Sequence, residues 1–166
     1  MAIAIYAGSF DPVTSGHLSV LRQAARLFGH VRVLVANNPD KTGLFTPDER
    51  VELLREVVQA MPNVSVDSTT SYVVHYARDI AATFLVRGIR GASDAQFETS
   101  LAQTNRSLAP EITTILLPAE ADLAQVSSSQ LKARARDGED LSPWCPPAVA
   151  RRIHAKLAAI AAQEPA

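Results

Sequence analysis

The chain has 166 residues, 47% of them hydrophobic and 20% charged, and a net charge of −1. That is length enough for one domain with its own core. No apolar run approaches the roughly 20 residues that a membrane-spanning helix needs, and there is no global positive field to gather nucleic acid. The N-terminus lacks the basic-then-apolar pattern of a signal peptide, and the single cysteine, Cys145, has no internal partner. A reducing cytoplasmic setting is therefore expected, with neither nucleic acid nor membrane as a partner.

The first predicted element is a strand at Ala2–Ala7, "AIAIYA". A loop, "GSFDPVTSGH" (Gly8–His17), leads to a predicted helix at Leu18–Phe28, whose apolar residues Leu18, Leu21, Ala25 and Phe28 recur at helical spacing. Gly29 is expected to cap that helix in a left-handed conformation. A strand follows at Val31–Ala36. The next helix is announced by "TPDE": Thr46 as N-cap, Pro47 at the first helical position and Glu49 closing a capping box. It is expected to run to about Met61, before Pro62. A strand at Val64–Asp67, a helix at about 72–82, a strand at Thr83–Arg87 and a helix at Asp94–Leu108 come next. They are followed by a strand at Thr113–Leu117 and a helix at Ser128–Arg136. The stretch "RDGEDLSPWCPP" then separates a last helix, at about Pro147–Ala161, that should pack on the body of a single domain spanning residues 1–166. Nearly continuous apolar strands alternating with helices predict an α/β domain, a doubly wound five-stranded parallel sheet covered on both faces.

In such sheets ligands gather beyond the carboxyl ends of the strands, where helices begin and offer free amides to phosphate. The Gly8–His17 loop falls there. Gly8 permits close backbone approach, Asp11-Pro12 marks a turn, and Gly16 leaves room beside His17. The loop is neither a P-loop nor a dinucleotide fingerprint, since G-x-x-x-x-G-K-[ST] and G-x-G-x-x-G are both missing from it. The other histidines, His30, His75 and His154, lack metal-ligand spacing.

The loop resembles the T/H-x-G-H signature of nucleotidyltransferases. A second signature of that group, I-S-S-S-x-x-[KR], is matched near the other end by "VSSSQLK", Val126–Lys132. With the intermediate blocks "NPDKTGLFTPDERVEL", "VRGIRG" and "AQTNR", almost the whole chain is similar to the bacterial phosphopantetheine adenylyltransferases. The resemblance implies a Rossmann-like nucleotidyltransferase domain that transfers an adenylyl group from ATP to 4'-phosphopantetheine. The products are dephospho-coenzyme A and pyrophosphate, the penultimate step of coenzyme A synthesis. It implies His17, Lys41, Arg90 and Ser128 as the catalytic set. Around ATP it places Ser9, Phe10, His17, Gly88, Ile89, Arg90 and Glu98, together with Leu123, Ala124, Gln125, Val126, Ser127, Ser128 and Ser129. Around the second substrate it places Ser9, Lys41, Val73 and Arg87. It further implies Mg2+ held mainly by the ATP phosphates with no protein metal site, a homohexamer, and coenzyme A as a feedback inhibitor. Ala95, Leu123 and Gln125 stand where the family usually carries other residues. Two rivals remain open from the sequence. A nicotinate-mononucleotide adenylyltransferase would favour H-x-G-H and a second motif ending in arginine, against Thr14 and Lys132 here. A regulatory nucleotide-binding module without turnover would have no need of the catalytic set.

Overall fold

The structure is a computed structural model that describes residues 2–37 and 42–163. Five strands form one all-parallel sheet in the order β3-β2-β1-β4-β5. They are β1 (Ile3–Gly8), β2 (His30–Ala36), β3 (Val64–Thr69), β4 (Phe84–Ile89) and β5 (Thr113–Pro118). Side chains alternate across the sheet, so β1 divides its residues between two cores. Ala4 and Tyr6 join the larger core, and Ile5 and Ala7 join the smaller one. This is why the strand is apolar throughout instead of alternating with polar residues.

The helices are α1 (Ser15–Leu27), α2 (Pro47–Val57), α3 (Val73–Asp79), α4 (Ala92–Leu108), α5 (Ser128–Arg136) and α6 (Pro147–Ala161). A short 3-10 turn at Ala121–Leu123, not foreseen, precedes α5. The larger core takes residues from α1, α2, α5 and α6, whereas α3 supplies Val74 and Ala77 to the smaller one. α6 contacts α2 and α5.

Thr46, Pro47 and Glu49 form the expected start of α2: Thr46 Oγ1 accepts from Glu49 N, and Glu49 Oε2 accepts from Thr46 N. Several helix boundaries depart from expectation, and α4 starts two residues early, at Ala92. α1 begins at Ser15, which places Gly16 and His17 inside its first turn, and it leaves through Phe28 in an extended conformation, not through a left-handed Gly29. α2 stops at Val57, short of Met61; the chain then turns through Val58–Met61, where Met61 N donates to Val58 O, and Pro62 bars the helix from resuming. α3 stops at Asp79 because Ala81 adopts φ 54°, and the amides of Ala81 and Ala82 turn back onto Arg78 O and Ala77 O.

The strand order sets the location of the site. From β1 the chain winds outward through β2 and β3, then returns to pair β4 with the other side of β1. The two halves diverge between β1 and β4, so a crevice opens at the carboxyl ends of those strands.

Candidate active site

That crevice is a cavity of about 380 Å³. Gly8, Ser9 and Phe10 wall it after β1, and His17 faces it from the first turn of α1. Arg87, Gly88 and Arg90 come from the end of β4, and Glu98 from α4. Val126 and the triplet Ser127–Ser129 close it from the start of α5. The two sequence signatures, more than a hundred residues apart, thus share one cavity.

Gly16 makes that meeting possible. A Cβ on Gly16 would sit 3.3 Å from Val126 O and 3.5 Å from Leu123 O, so the first turn of α1 lies directly against the backbone ahead of α5. Glycine is needed there for proximity, not for an unusual torsion.

His17 is held by an unusual capping box. Thr14 caps α1, its Oγ1 accepting from His17 N at 3.3 Å, while Thr14 N donates to His17 Nδ1 at 3.1 Å. An amide can only donate, so Nδ1 must offer its lone pair, and the proton of the neutral ring lies on Nε2. Phe10 packs edge-on against the imidazole, ring centres 5.1 Å apart, and against Tyr6 at 5.3 Å. Phe10 itself has φ 46°, a left-handed backbone uncommon for a bulky residue. Its ring lies over Gly8, where an added Cβ would come within 3.1 Å of Cζ. Desolvation, with smaller contributions from Arg90 and Arg87, lowers the His17 pKa to about 4. At neutral pH the ring is therefore an uncharged Nε2–H donor.

The arginines occupy defined pairs. Arg87 Nε and Nη2 each donate to the Glu98 carboxylate at 2.7 Å, and Nη1 donates to Ala7 O. Burial opposes the Arg87 charge, but the Glu98 carboxylate more than offsets it and keeps the guanidinium firmly charged. Arg90 donates to Asp94 at 2.7 Å, in the first turn of α4. Burial pushes the Tyr6 phenol above its ordinary value, against the opposing pull of Arg87.

The serine triplet divides its work. Ser127 is the N-cap of α5, its Oγ accepting from Gln130 N. Ser128 Oγ donates to Pro12 O at 2.8 Å, so this hydroxyl ties α5 to the first loop instead of facing the cavity as a free donor. What the triplet offers a phosphate is chiefly its backbone amides in the first turn of α5.

Not every expected residue joins the cavity. Ala124 and Gln125 line an adjoining hollow of about 280 Å³, together with Arg90 and Ser127. Ile89 ends β4 and Leu123 ends the 3-10 turn, and neither lines the cavity or the hollow. Val73 starts α3 and packs against the smaller core, also outside both. Lys41 lies outside the described residues. Conversely, sequence reasoning missed Thr14 as the residue that sets the imidazole tautomer, and Asp94 and Phe97 as lining residues. The spacing Thr14-x-x-His17, at a helix start, was the available signal for the first.

Free amides at helix starts, two arginines and an imidazole share one cavity at the switch point of a parallel sheet, an arrangement that fits a nucleotidyltransferase. The family model described as cytidylyltransferase-like matches residues 5–134. A phosphopantetheine adenylyltransferase of Desulforudis audaxviator is 45% identical over 157 residues, 95% of this chain and 96% of that protein. One from Streptococcus equi subsp. zooepidemicus is 47% identical over 131 residues, 78% of this chain and 79% of its own length. A solved structure from Vibrio parahaemolyticus, titled as a nicotinate-nucleotide adenylyltransferase, superposes with a TM-score of 0.68 at 20% identity, covering 92% of this chain and 91% of that one. At that identity it speaks for the fold alone. The chain belongs to the phosphopantetheine adenylyltransferase family.

Proposed function

We propose that the cavity transfers an adenylyl group from ATP to 4'-phosphopantetheine, forming dephospho-coenzyme A and pyrophosphate. A phosphate oxygen of 4'-phosphopantetheine attacks the α-phosphorus. The new P–O bond forms as the bond to the bridging α–β oxygen breaks, and that oxygen leaves with pyrophosphate. The second ionisation of a phosphate monoester lies at about 6, so the nucleophile is already anionic at neutral pH and needs no general base. The barrier is repulsion between anions and charge growth on the transferring group, which calls for positioning and fixed donors.

The observation that carries this reading is the state of His17. With Nδ1 committed to the Thr14 amide and the ring neutral, Nε2–H is a preset donor. We assign it to an α-phosphate oxygen as five-coordinate phosphorus forms. The amides of Ser127–Ser129 and the Arg90 guanidinium would hold the β- and γ-phosphates, and Ser9 the phosphate of the second substrate. Arg87 and Val73 are assigned to the pantetheine side, Lys41 to bridging the reacting phosphates, and Phe10 and Glu98 to the nucleotide side. The adjoining hollow, lined by Ala124 and Gln125, would receive the nucleoside.

Among the described residues no group of three or more His, Cys, Asp or Glu is placed to hold a metal. A Mg2+ ion fits here only as a companion of ATP, held by phosphate oxygens and water, where it would neutralise part of the triphosphate charge. No helix of the described residues is long and apolar enough to cross a membrane. The exposed Phe97 and Leu108 on α4, a helix that buries only Glu98, offer an apolar face for self-association; the homohexamer is proposed on the family resemblance, and sedimentation tests it. Inhibition by coenzyme A follows if the product's pantetheine side is recognised as the substrate's is.

Pyrophosphate release should require ATP and 4'-phosphopantetheine together. Release with nicotinate mononucleotide in its place, or ATP binding without turnover, would overturn the reading.

A further inference from the structure

Asp11 is 7% exposed, yet its carboxylate is among the most heavily hydrogen-bonded side chains described. Oδ1 accepts from Phe45 N at 2.9 Å. Oδ2 accepts from Leu44 N at 2.9 Å and from Lys132 Nζ at 3.0 Å. Arg50, 6% exposed, lies with Nε 3.4 Å from Oδ1. The same guanidinium donates to Phe45 O at 2.8 Å and to Ser9 O at 3.3 Å. Gly43 leaves the space it fills, since a Cβ there would meet Arg50 Nη2 at 2.0 Å. One carboxylate therefore gathers three segments: the loop leading to His17, the residues ahead of α2, and α5 through Lys132. Ser128 Oγ gives α5 a second attachment to the same loop at Pro12 O.

Buried ion clusters are a poor source of stability compared with apolar packing of the same volume, and what they can supply is a single geometry. The chemistry needs one. His17 Nε2–H and the amides at the start of α5 must reach oxygens of one triphosphate at once, and a misplacement of about 1 Å can cost on the order of 10²-fold in rate. We propose that Asp11 is a positioning residue of the transfer reaction, its carboxylate locking the His17 loop, the segment ahead of α2 and the serine-led helix α5 into one unit. Lys132, the last residue of the second signature, serves this lock and not the phosphates. The inference rests on the adenylyl-transfer reading, and its test has one arm that needs no turnover.

Asp11→Asn and Lys132→Gln are assayed by pyrophosphate release well below their melting temperatures. Both are expected to lose about tenfold or more in kcat with the KM for ATP within about threefold, because the lost geometry matters most in the transition state. The double variant should be no worse than Asp11→Asn alone, since Lys132 acts through its contact with Asp11. Lys132→Arg, which keeps the cation, should restore kcat. Independently of substrates, hydrogen exchange across α5 should quicken in Lys132→Gln while β1 keeps its protection. An inactive wild type would refute the reaction and leave the exchange arm to decide the lock. Unchanged kcat in a folded Lys132→Gln, or unchanged α5 exchange, overturns the positioning role even if Asp11→Asn fails to fold.

Discussion

His17 shows how much chemistry a backbone hydrogen bond can decide. The Thr14 amide takes the Nδ1 lone pair, so the ring presents Nε2–H, and desolvation keeps it neutral down to about pH 4. Removing a preset donor of this kind typically costs about 10²-fold or more in kcat. His17→Ala should therefore lose at least about that factor while binding ATP within a few-fold, measured by pyrophosphate release and calorimetry. The titration has a definite sign. Because the folded pKa of about 4 lies below the ordinary 6.5, the unfolded chain binds the proton more readily between those values. The contribution of His17 to stability is complete above the ordinary value and is lost as pH falls toward about 4. Long-range nitrogen–proton spectra of the free protein should show an Nε2–H tautomer at neutral pH and no protonation of this ring until about pH 4. A midpoint near the ordinary value would remove the desolvated donor from the mechanism.

Among the elements, the contact between the start of α1 and the backbone before α5 is the most exacting. Alanine at Gly16 would gain helix propensity of up to about 1 kcal/mol. It would also press a Cβ to 3.3 Å from Val126 O, which the backbone can relieve only by moving a few tenths of an ångström. The two effects nearly cancel in stability but not in geometry. Gly16→Ala should hold its unfolding free energy within about 1 kcal/mol while kcat falls several-fold; unfolding in urea and steady-state rates separate the two.

The α2–α6 contact poses the opposite question. Glu49–Lys156, Glu52–Arg152 and Glu56–Arg151 form a ladder of ion pairs. The Glu52–Arg152 and Glu56–Arg151 pairs are well exposed and worth about 0–1 kcal/mol each. Beneath the ladder Val149 and Ile153 are fully buried. Ile153→Ala should therefore cost about 2–5 kcal/mol, and Arg152→Ala less than about 1. Comparable losses in chemical denaturation would mean that the ion pairs, not the core, hold α6.

For the molecule as a whole, several carboxylates are set to weaken the fold in acid. Burial alone would raise the Asp11 pKa, but the Phe45 and Leu44 amides, Lys132 and Arg50 together hold it below its ordinary value. The Tyr76 hydroxyl does the same for Asp67, and Arg90 for Asp94. A depressed carboxylate contributes stability that is present above its unfolded pKa and lost as pH falls through the folded one. The melting temperature should thus hold near neutrality and fall once the pH drops into and below the ordinary carboxylate range. The fall should be shallower for Asp11→Asn. An unchanged slope in that variant would deny Asp11 a share in acid unfolding.

Periodicity and capping chemistry were enough to read the alternation of strands and helices, the parallel sheet, and the bounds of α5 and α6, because those signals are local. The two signatures were legible for the same reason, as were most of the residues that wall the cavity. The reach of each residue was not. Asp11 and Lys132 are 121 positions apart, and Asp11 and Leu44 are 33 apart, so no window along the chain could show that one carboxylate serves both. Nor could it show that the Ser128 hydroxyl is committed to Pro12 O, or that Gly16 is small because another backbone passes beside it. Local propensity depends on neighbours a few residues away and can be read directly. Buried polar partners and close approaches depend on how β1, α2 and α5 converge, and only the packed chain decides that.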